Sequence, residues 1–121
     1  MARVVALVPD LLFGSQVQGA LTAAGHEVEL VPDVDQIRER LADVPAVLVV
    51  DLVDEDLNGA ALVEALAAEG LLGRTRTLGF YSHVDVRARE QAERAGFDLV
   101  IPRSRMAREG AALVAGLAAD S

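Results

Sequence analysis

Two unbroken runs of branched apolar residues, "VVALV" at 4 to 8 and "VLVV" at 47 to 50, constrain this chain more than any other feature. A strand with one wet face alternates apolar with polar. A run of strand length with no alternation is buried on both faces, which in a small protein means the centre of a parallel sheet covered by helices above and below. Three more segments have strand length: "EVELVP" at 27 to 32, which alternates acid with apolar and reads as an edge, "TLGFYS" at 77 to 82, and "LVIP" at 99 to 102. With 3 to 9 and 46 to 51 they make five.

Helical patterns separate them. "LFGSQVQGALTAAG" places Leu12, Val17, Ala20, Leu21 and Ala24 on one stripe and stops at Gly25, a residue suited to a left-handed C-cap. Asp33 reads as the N-cap of a helix that carries Val34, Ile37 and Leu41 on one face. The third helix runs from Asn58 to Gly70, the fourth from Asp85 to Gly96, and the last takes Ser104 as its cap and carries Met106, Leu113, Val114 and Leu117. Strand and helix alternating five times, with right-handed crossovers, predict an α/β doubly wound five-stranded parallel sheet of order 2-1-3-4-5 with five helices, a flavodoxin-like architecture.

Composition removes whole classes of chemistry. The chain has 121 residues and no cysteine, so it reads as one domain, 1 to 121, with a core of ordinary size, no thiol chemistry and a reducing, cytoplasmic setting. A formal charge of −8 opposes nucleic acid and anionic lipid and fits protein partners. No apolar run approaches the ~20 residues needed to span a bilayer, so no membrane segment is expected. Every basic side chain is arginine, which rules out Schiff-base lysine. "GxxxxG" at Gly14 and Gly19 lacks the Lys-Ser/Thr of a phosphate loop, and the acids 54 to 56 match no calcium loop.

In such a sheet the functional crevice lies beyond the C-terminal strand ends. There the sequence puts Asp10 after the first strand, Asp51 after the third, Ser82 and His83 after the fourth, and Arg103 after the fifth. Two acids, a hydroxyl and a cation in one crevice suit a divalent cation held by hard oxygen ligands and an incoming phosphoryl group.

This constellation resembles the receiver domains of two-component response regulators, along the whole chain. The resemblance implies that Asp51 stands at the phosphoacceptor position, with Gly59 eight residues on, that Ser82 contacts the phosphoryl group, and that Arg103, seven residues after Gly96, takes the place of the pairing lysine. It implies a Mg2+ site made by Asp10, Asp51 and the carbonyl of Val53. The expected partner is a histidine kinase or a downstream signalling protein, the chain is not expected to be an enzyme, and no output domain is expected in it.

The departures fall on groups that phosphotransfer uses. Pro9 stands where a second metal-binding acid belongs, Arg103 replaces lysine, Val100 replaces an aromatic switch and Glu55 a proline. Arginine's planar fork is expected to tie Asp51 or Asp10 bidentately. The favoured expectation is an atypical or pseudo-receiver that acts through its helix 4, strand 5 and helix 5 face, with a possible homodimer through Leu113, Val114 and Leu117. One alternative is a phosphorylatable single-domain response regulator using Asp51 with Mg2+. Another is a small α/β ligand-binding module or enzyme using the same crevice.

Overall fold

The computed structural model describes residues 2 to 119. Five strands, β1 (Arg3–Leu7), β2 (Glu27–Val31), β3 (Val47–Asp51), β4 (Arg76–Tyr81) and β5 (Leu99–Pro102), form one parallel sheet in the order β2-β1-β3-β4-β5. Five α-helices alternate with them: α1 (Leu11–Ala23), α2 (Ile37–Leu41), α3 (Gly59–Ala68), α4 (Val86–Ala95) and α5 (Arg103–Ala119). The predicted architecture and strand order are those observed.

The period of two along each strand sorts the core into two layers. Val4, Ala6 and Val8, with Val47, Val49, Leu78 and Phe80, meet α1 and α5 through Phe13, Val17, Leu21, Met106 and Val114. Val5 and Leu7, with Leu48 and Val50, meet α2, α3 and α4 through Ile37, Leu41, Leu62, Leu66, Ala92 and Ala95. All five residues of β3 are buried. β2 shows the burial of an edge, with Glu27 and Glu29 outward and Val31 buried.

Three local expectations are corrected. The inward stripe of α1 keeps the expected Val17 and Leu21 but is completed by Phe13 and Gly14, while Leu12, at 72%, Ala20 and Ala24 are exposed. The cause is the cap: Asp10 accepts a hydrogen bond from the Phe13 N–H at 3.0 Å, starting the helix at Leu11 and turning Leu12 to solvent. Ser104 caps nothing, because β5 ends at Pro102 and α5 begins at Arg103 with no intervening loop. Asp33 caps only a 3-10 turn, Val34–Gln36, ahead of a short α2. In α5, Val114 is fully buried, while Leu113 and Leu117 are partly buried against the same core.

His26 is buried between β1 and α5. Its Nδ1 accepts the Ala2 N–H at 3.1 Å, which leaves Nε2 to donate to the Ala111 carbonyl at 3.3 Å. Those partners assign the neutral Nε2–H tautomer. Among the described residues no helix is long and apolar enough to cross a membrane.

Candidate functional site

The crevice is built by the carboxyl ends of β1, β3, β4 and β5. Asp51 is the last residue of β3 and is 3% exposed. Alternation sets it on the side of Val47 and Val49, facing the α1 and α5 layer. Its Oδ1 accepts the Val53 N–H at 2.7 Å and the Asp54 N–H at 3.3 Å. The side chain therefore organises the turn that leaves the strand, as short acidic side chains do. Burial pushes the Asp51 carboxyl above its ordinary value; the two N–H bonds oppose this, the Asp54 charge adds to it, and the Arg103 charge opposes it least of all.

That turn continues into a 3-10 segment, Glu55–Leu57, capped by Asp54, and reaches Asn58 at φ 48°. Asparagine tolerates this left-handed backbone better than most residues. Gly59 follows where a Cβ would lie 2.6 Å from Val50 Cγ1 and 3.4 Å from the Asp51 carbonyl. The spacing from Asp51 to Gly59 thus has a steric cause: α3 starts in contact with the strand that carries the acid.

Arg103, the first residue of α5, approaches Asp10 with Nη2 3.5 Å from Oδ2. Its guanidinium also lies over the Phe13 ring, 4.3 Å from the centroid. Phe13 in turn packs against Phe80 at a centroid distance of 5.0 Å and a tilt of 54°. The expected tie of Arg103 is therefore corrected. It pairs with Asp10 through one nitrogen and lies over the Phe13 ring, and neither a bidentate fork nor a salt bridge to Asp51 forms. The ring and Asp10 together hold the guanidinium away from a fork on either acid.

Ser82 is half-buried just beyond β4, and its carbonyl accepts the Asp85 N–H at 2.8 Å. That turn sets Asp85 to cap α4 through the Ala88 N–H at 3.0 Å. His83 is exposed in the same turn, and Val53 is half-buried against the α1 and α5 core. Asp10, Asp51 and Arg103 are thus assembled around one crevice, with Ser82 and Val53 at its edges. The residue that the sequence reading missed is Phe13. Its signal was faint: one aromatic in the first helical turn, three positions after Asp10, in a chain with few aromatic residues.

The residues present fit a divalent cation poorly. Magnesium demands near-octahedral oxygen coordination. Asp10 gives Oδ1 to the helix cap and Oδ2 to Arg103, and Asp51 gives Oδ1 to two N–H groups. That leaves Asp51 Oδ2 as the one oxygen of the two carboxylates that takes no hydrogen bond from a described residue. A guanidinium already pairs with Asp10, and Pro9 supplies no carboxylate. Among the described residues no group of three or more His, Cys, Asp or Glu side chains is placed to hold a metal ion.

No family model and no curated protein matches the sequence. Solved structures do. A putative response regulator from Chloroflexus aurantiacus superposes with a TM-score of 0.86 at 17% identity, covering 98% of each chain. The chemotaxis protein CheY4 of Vibrio cholerae gives 0.82 at 17% identity, over 97% of this chain and 98% of that one. The signal receiver domain of the putative response regulator NarL from Mycobacterium tuberculosis gives 0.77 at 24% identity, over 99% and 98%. The chain has the fold of a response-regulator receiver domain.

Proposed function

We propose that this chain is a receiver-like signalling domain of two-component type, and that it works through protein contacts with little or no phosphorylation of Asp51. The observation that carries this reading is the position of Arg103, held between Asp10 and the Phe13 ring. A phosphoryl group on Asp51 would need that cation turned toward it and a metal ion beside it. Here the cation and the metal-binding acid neutralise each other. The partner is a histidine kinase or a downstream signalling protein, met through α4, β5 and α5, or a second copy of the chain. Acidic character and the low aromatic content speak against nucleic acid, and the lack of a cysteine fits a cytoplasmic setting.

The test is direct. The protein is treated with a small phosphodonor and Mg2+ and its intact mass is followed, while beryllofluoride with Mg2+ is titrated against the amide resonances of Val53 and Asp54. Unchanged mass and unmoved amides are expected. A mass increase of one phosphoryl group that vanishes in Asp51→Asn would replace this reading with that of a phosphorylatable response regulator. Partner capture is checked with Arg87→Glu/Arg94→Glu, and undiminished binding would move the interface away from α4.

A further inference from the structure

One cause of the poor fit of the crevice to a divalent cation lies outside the acids themselves. Asp10 carries no structural defect as a ligand: it stands at the end of β1 with its side chain half exposed. What removes it is Arg103, and what holds Arg103 there is the ring of Phe13. An exposed arginine–carboxylate contact at 3.5 Å is weak by itself and is readily exchanged for water. The ring adds a second constraint, because the guanidinium keeps its cation–π contact only while it stays over the face of Phe13. The ring cannot easily turn away, since Phe13 is 6% exposed and is packed against Phe80.

We infer that Phe13 is a positioning residue, and that the Phe13–Arg103–Asp10 clamp is the device that keeps divalent cations out of this crevice. The inference rests on the reading of weak or absent phosphorylation and gives it a cause. The clamp joins three elements, α1 through Phe13, the β1 end through Asp10, and the start of α5 through Arg103. It holds a positive charge against Asp10 Oδ2, where it competes with any cation for that oxygen. Loosening either side of the arginine frees Asp10 Oδ2 from its paired cation and leaves it open to another.

Phe13→Leu keeps an apolar side chain in the core and removes the ring face. Arg103→Met removes the guanidinium and leaves Phe13 untouched, so the inference stays testable even where the first variant folds badly. Mg2+ is titrated into each protein with the amide shifts of Val53 and Asp54 as readout, and the Arg103 Nε–H resonance is recorded. Loss of a cation–π contact at a half-exposed site corresponds to roughly a two- to five-fold gain in Mg2+ affinity for Phe13→Leu. Removal of the competing charge in Arg103→Met is expected to give on the order of tenfold. The Arg103 Nε–H resonance is expected to move toward its free value in Phe13→Leu as the ring current is lost, and the accompanying gain in Mg2+ affinity is the change that a purely structural role would not produce.

Unchanged Mg2+ affinity in Arg103→Met overturns the clamp. So does an unmoved arginine resonance in a folded Phe13→Leu protein, and so does submillimolar Mg2+ binding by the parent. Beryllofluoride uptake by the parent would instead overturn the functional reading, whichever way the variants behave.

Discussion

Gly79→Ala tests whether the crevice turn is held by packing. Gly79 is buried in β4, on the face away from Phe80, with Val50 of β3 as its register partner. A Cβ there would lie 2.6 Å from Leu52 Cδ1 and 3.0 Å from Phe97 Cε2. Both are closer than ordinary contact, and the two neighbours press from different sides. Leu52 is half-buried and has some room to move, whereas Phe97 is 8% exposed and belongs to the core. Overpacking of this kind costs about 1 to 3 kcal/mol, offset by about 0.4 to 1 kcal/mol because alanine narrows the unfolded ensemble. The net is a destabilisation of about 1 to 2 kcal/mol, which for a chain of this size is a fall in Tm of about 4 to 8 °C.

Because Leu52 follows Asp51 directly, the displacement also reaches the Asp51 turn. The Val53 and Asp54 amide resonances are expected to move with it. Leu52→Ala in the same background removes the nearer clash, so the double variant is expected to be more stable than the sum of the single effects by about 1 kcal/mol. Thermal and denaturant unfolding of the four proteins measures this. A Tm for Gly79→Ala equal to or above the parent's, or strict additivity with Leu52→Ala, would refute the packing argument.

Other outcomes follow from groups already described. Burial raises the Asp51 carboxyl above its ordinary value, so the native state binds its proton more tightly than the unfolded chain does. Stability is therefore lost as pH rises from the unfolded carboxylate range through the raised native value, the reverse of a salt-bridged acid. Asp51→Asn keeps an oxygen for the two N–H groups, and denaturant unfolding from pH 3.5 to 7 is expected to show higher stability at neutral pH and a flatter profile. His26→Ala strips the Ala2 N–H and the Ala111 carbonyl of their shared partner. It is expected to cost about 2 to 3 kcal/mol, with amide exchange speeding at the start of β1 and the middle of α5. Val44, β-branched at φ 51° and 63% exposed, sits in strained backbone. Val44→Gly is expected to raise stability by about 1 kcal/mol, and a lower denaturant midpoint would count against that strain.

Much of this molecule was legible because its information is local. An unbroken apolar run announces a central strand wherever the rest of the chain goes, and Gly25, Gly70 and Gly96 mark helix ends with positive φ at each. Helix faces were less legible at their ends, where a cap decides which side chain of the first turn points inward. Leu12 and Phe13 exchanged places on the strength of one hydrogen bond from Asp10. The crevice membership of Asp51 and Arg103 followed from strand order, but the partner of Arg103 did not. Two acids lay within plausible reach, and the deciding contact was a ring contributed from another helix, a matter of side-chain geometry that spacing does not encode. In the same way, burial of His26 was plausible from its place after Gly25, while its tie to Ala111, 85 residues away, was not.

The direct passage of β5 into α5 has a mechanical meaning. Pro102 is paired in the sheet with Tyr81, and Arg103 is already helical. No slack segment lies between the two to absorb a displacement. A partner that leans on the outer surface of α5 would tilt a lever whose fulcrum is the sheet edge and whose short arm ends in the guanidinium. Arg103 and α5 are one rigid piece, so a displacement of the helix would reach the crevice without any switch having to flip.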